Sequence, residues 1–136
     1  MKQLPSKPSD LIELALQDLE SVEKSPKYEV YMSEWHAYTP GADICSVCLA
    51  GAVMAQTLKV RRKQFKSPDE IKDKATQNAL YALNSFRLGS ISHGLKTMEI
   101  PHDKVRNIHI PPYAEHPRKF KTAMSKMAVS LRKKGL

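Results

Sequence analysis

The most apolar stretch of the chain is residues 45–58, with the sequence CSVCLAGAVMAQTL. Its valine, leucine and methionine side chains are interspersed with alanine and glycine, so a helix formed by it is apolar on nearly every side. Gly51 lowers intrinsic helix stability by about 1 kcal/mol, and close packing must compensate. We therefore predict a central, buried helix over residues 45–58. The alternative is that the small residues of this helix form a dimer interface.

Three other helices are predicted around this one. Ser9 is placed to cap a first helix that ends near Ser25, before a proline. Residues 67–70, Ser-Pro-Asp-Glu, form a capping-box sequence that predicts a third helix running to Gly89. Pro117 begins the last helix. One apolar seam follows it, at steps of four, three and four residues: Phe120, Met124, Met127 and Leu131.

The remaining segments are less regular. Residues 28–38 fit a strand or a helical turn equally, and this choice stays open. Residues 39–43 predict a turn, with Asp43 capping the central helix. The prolines and glycines of residues 89–117 indicate irregular structure. The predicted fold is mainly α, one compact domain over residues 1–136 with about four to five helices, and with room for a short β-hairpin or an extended segment.

Composition and charge indicate which kinds of partner this chain can bind. The chain has 136 residues, 41% of them hydrophobic, and a net charge of +8. Residues 1–58 hold four basic and eight acidic side chains, whereas residues 59–136 hold eighteen basic and six acidic ones. This division creates either a basic surface for polyanions or two complementary parts of one fold. We find no targeting, lipidation or membrane-spanning pattern, and expect a cytoplasmic protein with no membrane partner.

The basic residues suggest a phosphate-bearing partner, either nucleic acid or a nucleotide, and a solvated basic face is the alternative. The predicted anion-binding residues are Lys59, Arg61, Arg62, Lys63, Lys66, Arg118 and Lys119. Aromatic side chains near them predict base stacking if they are exposed. The residues proposed for a pocket or for stacking are Trp35, His36, Phe65 and Tyr113, with Tyr81 a further stacking candidate. Such a tryptophan is more often part of the core.

Cys45 and Cys48 are the only cysteines, and their spacing is compatible with half of a zinc site. A second pair of ligands is missing from the cysteine count, although His36 and four other histidines leave a mixed site open. The alternative is that two small side chains pack inside the fold. Because no nucleotide-binding, hydrolase or metalloprotease motif occurs, we expect no cofactor and no enzymatic activity.

The pattern from Tyr31-Met32 through Trp35-His36 to residues 45–55, CSVCLAGAVMA, resembles a motif in a family of small, uncharacterised tailed-bacteriophage proteins. This resemblance covers about a fifth of the chain. It implies a phage origin and a host-cell cytosolic location, but no mechanism. Phage proteins of this size are often stoichiometric binders of host enzymes, defence components, nucleotide signals or nucleic acid, and this analogy favours binding.

These observations predict a small accessory protein that binds an anionic partner through a basic C-terminal surface. One alternative is an inhibitor that binds a host enzyme or a defence component, or a protein that assembles with its own copies. A zinc-site protein using Cys45 and Cys48 is the other.

Overall fold

The structure is a computed structural model, and it describes residues 3–103 and 105–136. The described residues form five α-helices and a small three-stranded sheet, so the predicted mainly α fold is confirmed. The helices are α1 (Pro8–Glu23), α2 (Leu49–Gln56), α3 (Lys74–Arg87), α4 (Ile91–Thr97) and α5 (Pro117–Lys133). The strands are β1 (Tyr28–Val30), β2 (His36–Thr39) and β3 (Ile44–Val47).

The sheet resolves the ambiguity of residues 28–38, which contain β1 and the start of β2. The strand order is β1-β3-β2, with β1 parallel and β2 antiparallel to β3. Asp43 adopts a positive φ of 53° in the turn between β2 and β3. Its predicted role as a helix cap is therefore wrong. An aspartate tolerates this left-handed conformation, which closes the hairpin.

The apolar stretch that begins at Cys45 contains two elements rather than one. Cys45 belongs to β3, and the helix begins at Leu49 after Cys48, whose Sγ accepts a hydrogen bond from the Gly51 N–H at 3.3 Å. The predicted helix start at Cys45 is wrong because pairing with β1 and β2 fixes the first residues as a strand. The predicted burial is confirmed, since every residue from Leu49 to Ala55 is buried within the chain. The small residues of α2 thus pack against the chain itself rather than against a second copy.

Helix boundaries differ from the predictions where a stronger local signal competes. Pro8 is the first residue of α1, so Ser9 lies inside the helix and donates its hydroxyl to the carbonyl of Leu136 at 2.9 Å. The Ser67 sequence signal forms only a 3-10 turn, Pro68–Glu70. Helix α3 starts later because Asp73 accepts hydrogen bonds from the backbone and the hydroxyl of Thr76 at 3.0 and 2.6 Å.

The other helices agree with the sequence predictions only in part. Gly89, with a φ of 82°, follows Leu88, the C-cap of α3, which agrees with the predicted stop. Helix α4 was not predicted, because residues 89–117 were expected to be irregular. Helix α5 begins at Pro117 as predicted, and its apolar seam is buried. Helix α1 packs against both α2 and α5, while α3 packs against α2 and α4.

No helix within residues 3–103 and 105–136 has both the length and the apolar character that crossing a membrane would require.

Candidate nucleic-acid interface

Helix α5 carries only positive charges. Between Pro117 and Leu136 the sequence has no aspartate or glutamate and seven basic residues. These residues are Arg118, Lys119, Lys121, Lys126, Arg132, Lys133 and Lys134. Because the buried seam of α5 faces α1, the basic residues occupy the edges and the outer face of the helix.

Two of these seven residues pair with acidic residues of α1. Lys121 Nζ lies 2.5 Å from Glu23 Oε1, and the same carboxylate accepts a hydrogen bond from the Tyr113 hydroxyl. Arg132 bridges Asp10 at 3.1 Å and Glu13 at 2.7 Å. The acidic first part of the chain therefore neutralises the edges of α5 that face it.

Five residues stay outside this pairing. Within the part of the chain that the structure describes, they form no ion pair with any carboxylate, and all are exposed. They are Arg118, Lys119, Lys126, Lys133 and Lys134. The unpaired basic residues thus run from Arg118, near the start of α5, to its C-terminal end.

Three of these lysines form a row along α5. Lys119, Lys126 and Lys133 are seven residues apart, so they lie on one side of the helix about 10.5 Å from each other. Two lysines of this row, Lys126 and Lys133, border a shallow groove on the surface of α5. Its other lining residues include four with small side chains: Thr122, Ser125, Val129 and Ser130. Val129 is 49% exposed, so the groove is open to solvent at this residue. A polyanion can approach the lysine row without displacing any part of the described chain.

The anion-binding residues predicted from the sequence include Arg118 and Lys119 but not Lys126, Lys133 and Lys134. The seven-residue spacing from Lys119 was the signal that would have selected two of these three. This spacing identifies a binding surface only once the structure shows which side of α5 faces outward.

The second group of predicted cations lies on residues 59–66, which we call the basic loop. Backbone hydrogen bonds fix both its ends: Val60 N–H donates to the Met54 carbonyl and Lys66 N–H to the His36 carbonyl, each at 2.9 Å. The His36 ring contributes a third contact, with Nδ1 2.8 Å from the Gln64 carbonyl oxygen. The basic loop is therefore attached to α2 at its start and to β2 at its end, whereas the lysine row lies on α5, which packs against α1.

Arg62 differs from its neighbours in the basic loop. Its guanidinium donates to the Asp43 side chain and carbonyl, each at 3.0 Å, and its Cζ lies 5.4 Å from the centre of the Tyr38 ring. The hydrogen bond from Tyr38, followed by that from Arg62, holds the pKa of the Asp43 carboxyl below its usual value. Arg62 thus stabilises the β2–β3 turn, which competes with the predicted role in anion binding. Lys59, Arg61 and Lys63 are exposed.

The aromatic candidates fall into two groups. Phe65, in the basic loop, is 69% exposed. Trp35 packs edge-to-face against Tyr81 with ring centres 5.5 Å apart, and Tyr113 packs in the same way against Phe120 at 5.6 Å. Tyr81 also donates its hydroxyl to Asp69. Three of the four rings thus have partners inside the fold, and Phe65 is free to contact a ligand.

His36 and Cys45 are both completely buried, and Cys45 Sγ lies 3.5 Å from His36 Nδ1. Burial lowers the pKa of His36 and raises that of Cys45 to about 11. Burial also raises the pKa of Cys48, whose sulfur caps α2. Burial thus favours the protonated thiol at both cysteines, which lowers their reactivity as nucleophiles. The described residues contain no group of three or more histidine, cysteine, aspartate or glutamate side chains arranged to hold a metal ion.

No protein-family model, curated protein or solved structure matches this chain.

Proposed function

We propose that this chain is a non-enzymatic binding protein whose partner is the phosphate backbone of a nucleic acid. The observation that carries the proposal is the lysine row on the outer face of α5, which is exposed and has no carboxylate partner among the described residues. Long cationic side chains along an open surface bind phosphates without reading sequence. The resemblance of residues 31–55 to phage proteins is in keeping with a stoichiometric binder, and phage origin stays part of this proposal.

The length of the row favours a polymer over a single nucleotide. Lys119 and Lys133 are separated by about 21 Å along the helix axis, which follows from the rise of about 1.5 Å per residue. A duplex of that length presents about six phosphates on each strand, at 3.4 Å per phosphate. A mononucleotide would reach one lysine of the row at a time, whereas a nucleic acid contacts all three.

Salt dependence tests the proposal directly. Binding to a labelled duplex of about 20 base pairs is measured by fluorescence anisotropy over a series of salt concentrations. The triple variant Lys119→Gln, Lys126→Gln, Lys133→Gln should reduce the slope of log K against log salt by about 2.7, since each lost phosphate contact removes about 0.9. Circular dichroism checks that the variant folds, which we expect because all three side chains are exposed.

A matched control separates the row from net charge. The variant Lys24→Gln, Lys27→Gln, Lys72→Gln changes the same number of exposed charges at positions outside α5. We expect its slope to stay close to that of the unsubstituted protein. Equal effects of the two triple variants, or no binding by the unsubstituted protein at low salt, would refute the proposal.

A further inference from the structure

The basic loop exposes an aromatic ring on an anchored segment of backbone. Phe65 lies between Gln64, whose carbonyl oxygen is 2.8 Å from the His36 ring, and Lys66, whose N–H donates to the His36 carbonyl at 2.9 Å. His36 is itself fully buried in β2. The loop backbone on both sides of Phe65 is thus fixed to the core, yet the ring is 69% exposed. Exposing a phenylalanine forgoes about 1.5–3 kcal/mol of burial free energy.

The surroundings of Phe65 are cationic. Residues 59–66 contain five basic side chains and no acidic one. Arg61 and Lys63 are exposed, and neither forms an ion pair within the described part of the chain. Arg62 is the exception because Asp43 holds it. A ring beside unpaired cations suits a ligand that carries both a flat apolar face and negative charge.

Tyr31 provides an internal comparison. It is also an exposed aromatic residue, at 52%, but Glu29 and Glu34 lie near it in sequence and no basic residue lies between them. An anionic ligand would be repelled there. Exposure and positive charge therefore coincide at Phe65 and not at Tyr31.

We infer that the basic loop binds single-stranded nucleic acid, with Phe65 stacking on an unpaired base while Arg61 and Lys63 contact the adjacent phosphates. This inference rests on the proposed function and adds a second surface, specific for single strands, to the lysine row of α5. Nucleobases supply the flat face and phosphates the charge, and stacking of this kind tolerates any base. A duplex presents bases that are already stacked and paired, so Phe65 gains no face to contact without unstacking them.

The test compares two substitutions at one position with two forms of nucleic acid. Anisotropy is measured with labelled oligothymidylate of about 20 nucleotides and with a duplex of equal length. Phe65→Leu keeps apolar bulk but removes the aromatic face, and we expect about 5- to 150-fold weaker binding of the single strand, the range that corresponds to stacking of one base. Duplex affinity should change less than about twofold, and Phe65→Trp should retain single-strand binding.

Two further measurements isolate the origin of the effect. The salt slope of Phe65→Leu should equal that of the unsubstituted protein, because stacking releases no counterions. Tyr31→Leu, the control at the other exposed aromatic residue, should bind both forms normally. Single-strand affinity that is unchanged in Phe65→Leu, or an equal loss for both forms, would overturn the inference while leaving the proposed function standing. Failure of the unsubstituted protein to bind either form would overturn the proposed function itself.

Discussion

Replacing Gly51 by alanine tests how closely α2 packs against the chain that enters β2. A Cβ at this position would lie 1.7 Å from the carbonyl oxygen of Trp35 and 3.0 Å from the Cβ of Val47. Carbon atoms of neighbouring groups ordinarily approach to about 3.5–4.0 Å. The opposing atom belongs to the backbone just before β2, so it cannot move aside by a change of rotamer. Either α2 or the start of β2 must shift.

Two opposing terms decide the free energy of unfolding of Gly51→Ala. Alanine is favoured over glycine inside a helix by about 1 kcal/mol. Inserting a methyl group into a well-packed core costs about 1–3 kcal/mol, and a clash with backbone belongs at or above the upper end of that range. The clash wins, and we expect a net loss of about 2 kcal/mol or more. That is a large share of the 5–15 kcal/mol that stabilises a typical domain.

Urea denaturation measures this loss. Trp35 is the only tryptophan, so its fluorescence reports on the contact itself, and far-UV circular dichroism reports on the helices. Gly41→Ala is the control, because a Cβ there meets nothing within 4 Å. Its stability should change by less than about 0.5 kcal/mol. If Gly51→Ala unfolds at the same urea concentration and with the same slope as the unsubstituted protein, the close approach of Trp35 to α2 is wrong.

Two predictions concern His36 and the cysteines. Burial lowers the pKa of His36, so the unfolded chain takes up this proton first as pH falls, and the free energy of unfolding should decrease below about pH 6.5. Urea denaturation at several pH values measures this decrease in the free energy of unfolding, which should be weaker in His36→Asn than in His93→Asn, the control at an exposed histidine. Equal decreases in the two variants would contradict the prediction. For the cysteines, dialysis against a chelator should leave the melting temperature unchanged, because both thiols are buried and their sulfur atoms already contact the fold, at the His36 ring for Cys45 and at the Gly51 N–H for Cys48. A lower melting temperature that added zinc restores would show that the zinc alternative is right.

Helix α5 was predictable from sequence because its signals are local and agree. Pro117 sets the first turn, and the spacing of the seam from Phe120 to Leu131 is specific to a helix. Residues 44–47 were not predictable in this way, since a short apolar run fits a strand or a buried helix equally. Only pairing with β1 and β2, residues distant in sequence, makes them a strand. The Ser67 signal is likewise local, but the cap at Asp73 takes over the start of α3.

The candidate site shows the same limit. Clusters of basic residues and the aromatic Phe65 were visible in the sequence, but which of them are free depends on partners elsewhere in the chain. Arg62 is held by Asp43, nineteen residues earlier, and Tyr113 by Glu23, ninety residues earlier. No local pattern predicts these contacts. Tertiary pairing therefore separates the cations that stabilise the fold from those that remain for a ligand.

The uneven charge distribution left two interpretations open, a free basic surface or complementary parts of one fold, and α5 combines them. Its ion pairs with α1 are at the surface, where each contributes about 0–1 kcal/mol. The seam side chains Phe120, Met124 and Leu131 are each at most 2% exposed, and burying one such side chain contributes about 1.5–3 kcal/mol. Burial of the seam therefore determines how α5 is rotated on α1, and the ion pairs follow from it. Because the lysine row lies about 130° around the helix from the seam, the same apolar contact that stabilises α5 also directs these unpaired charges away from the acidic helix.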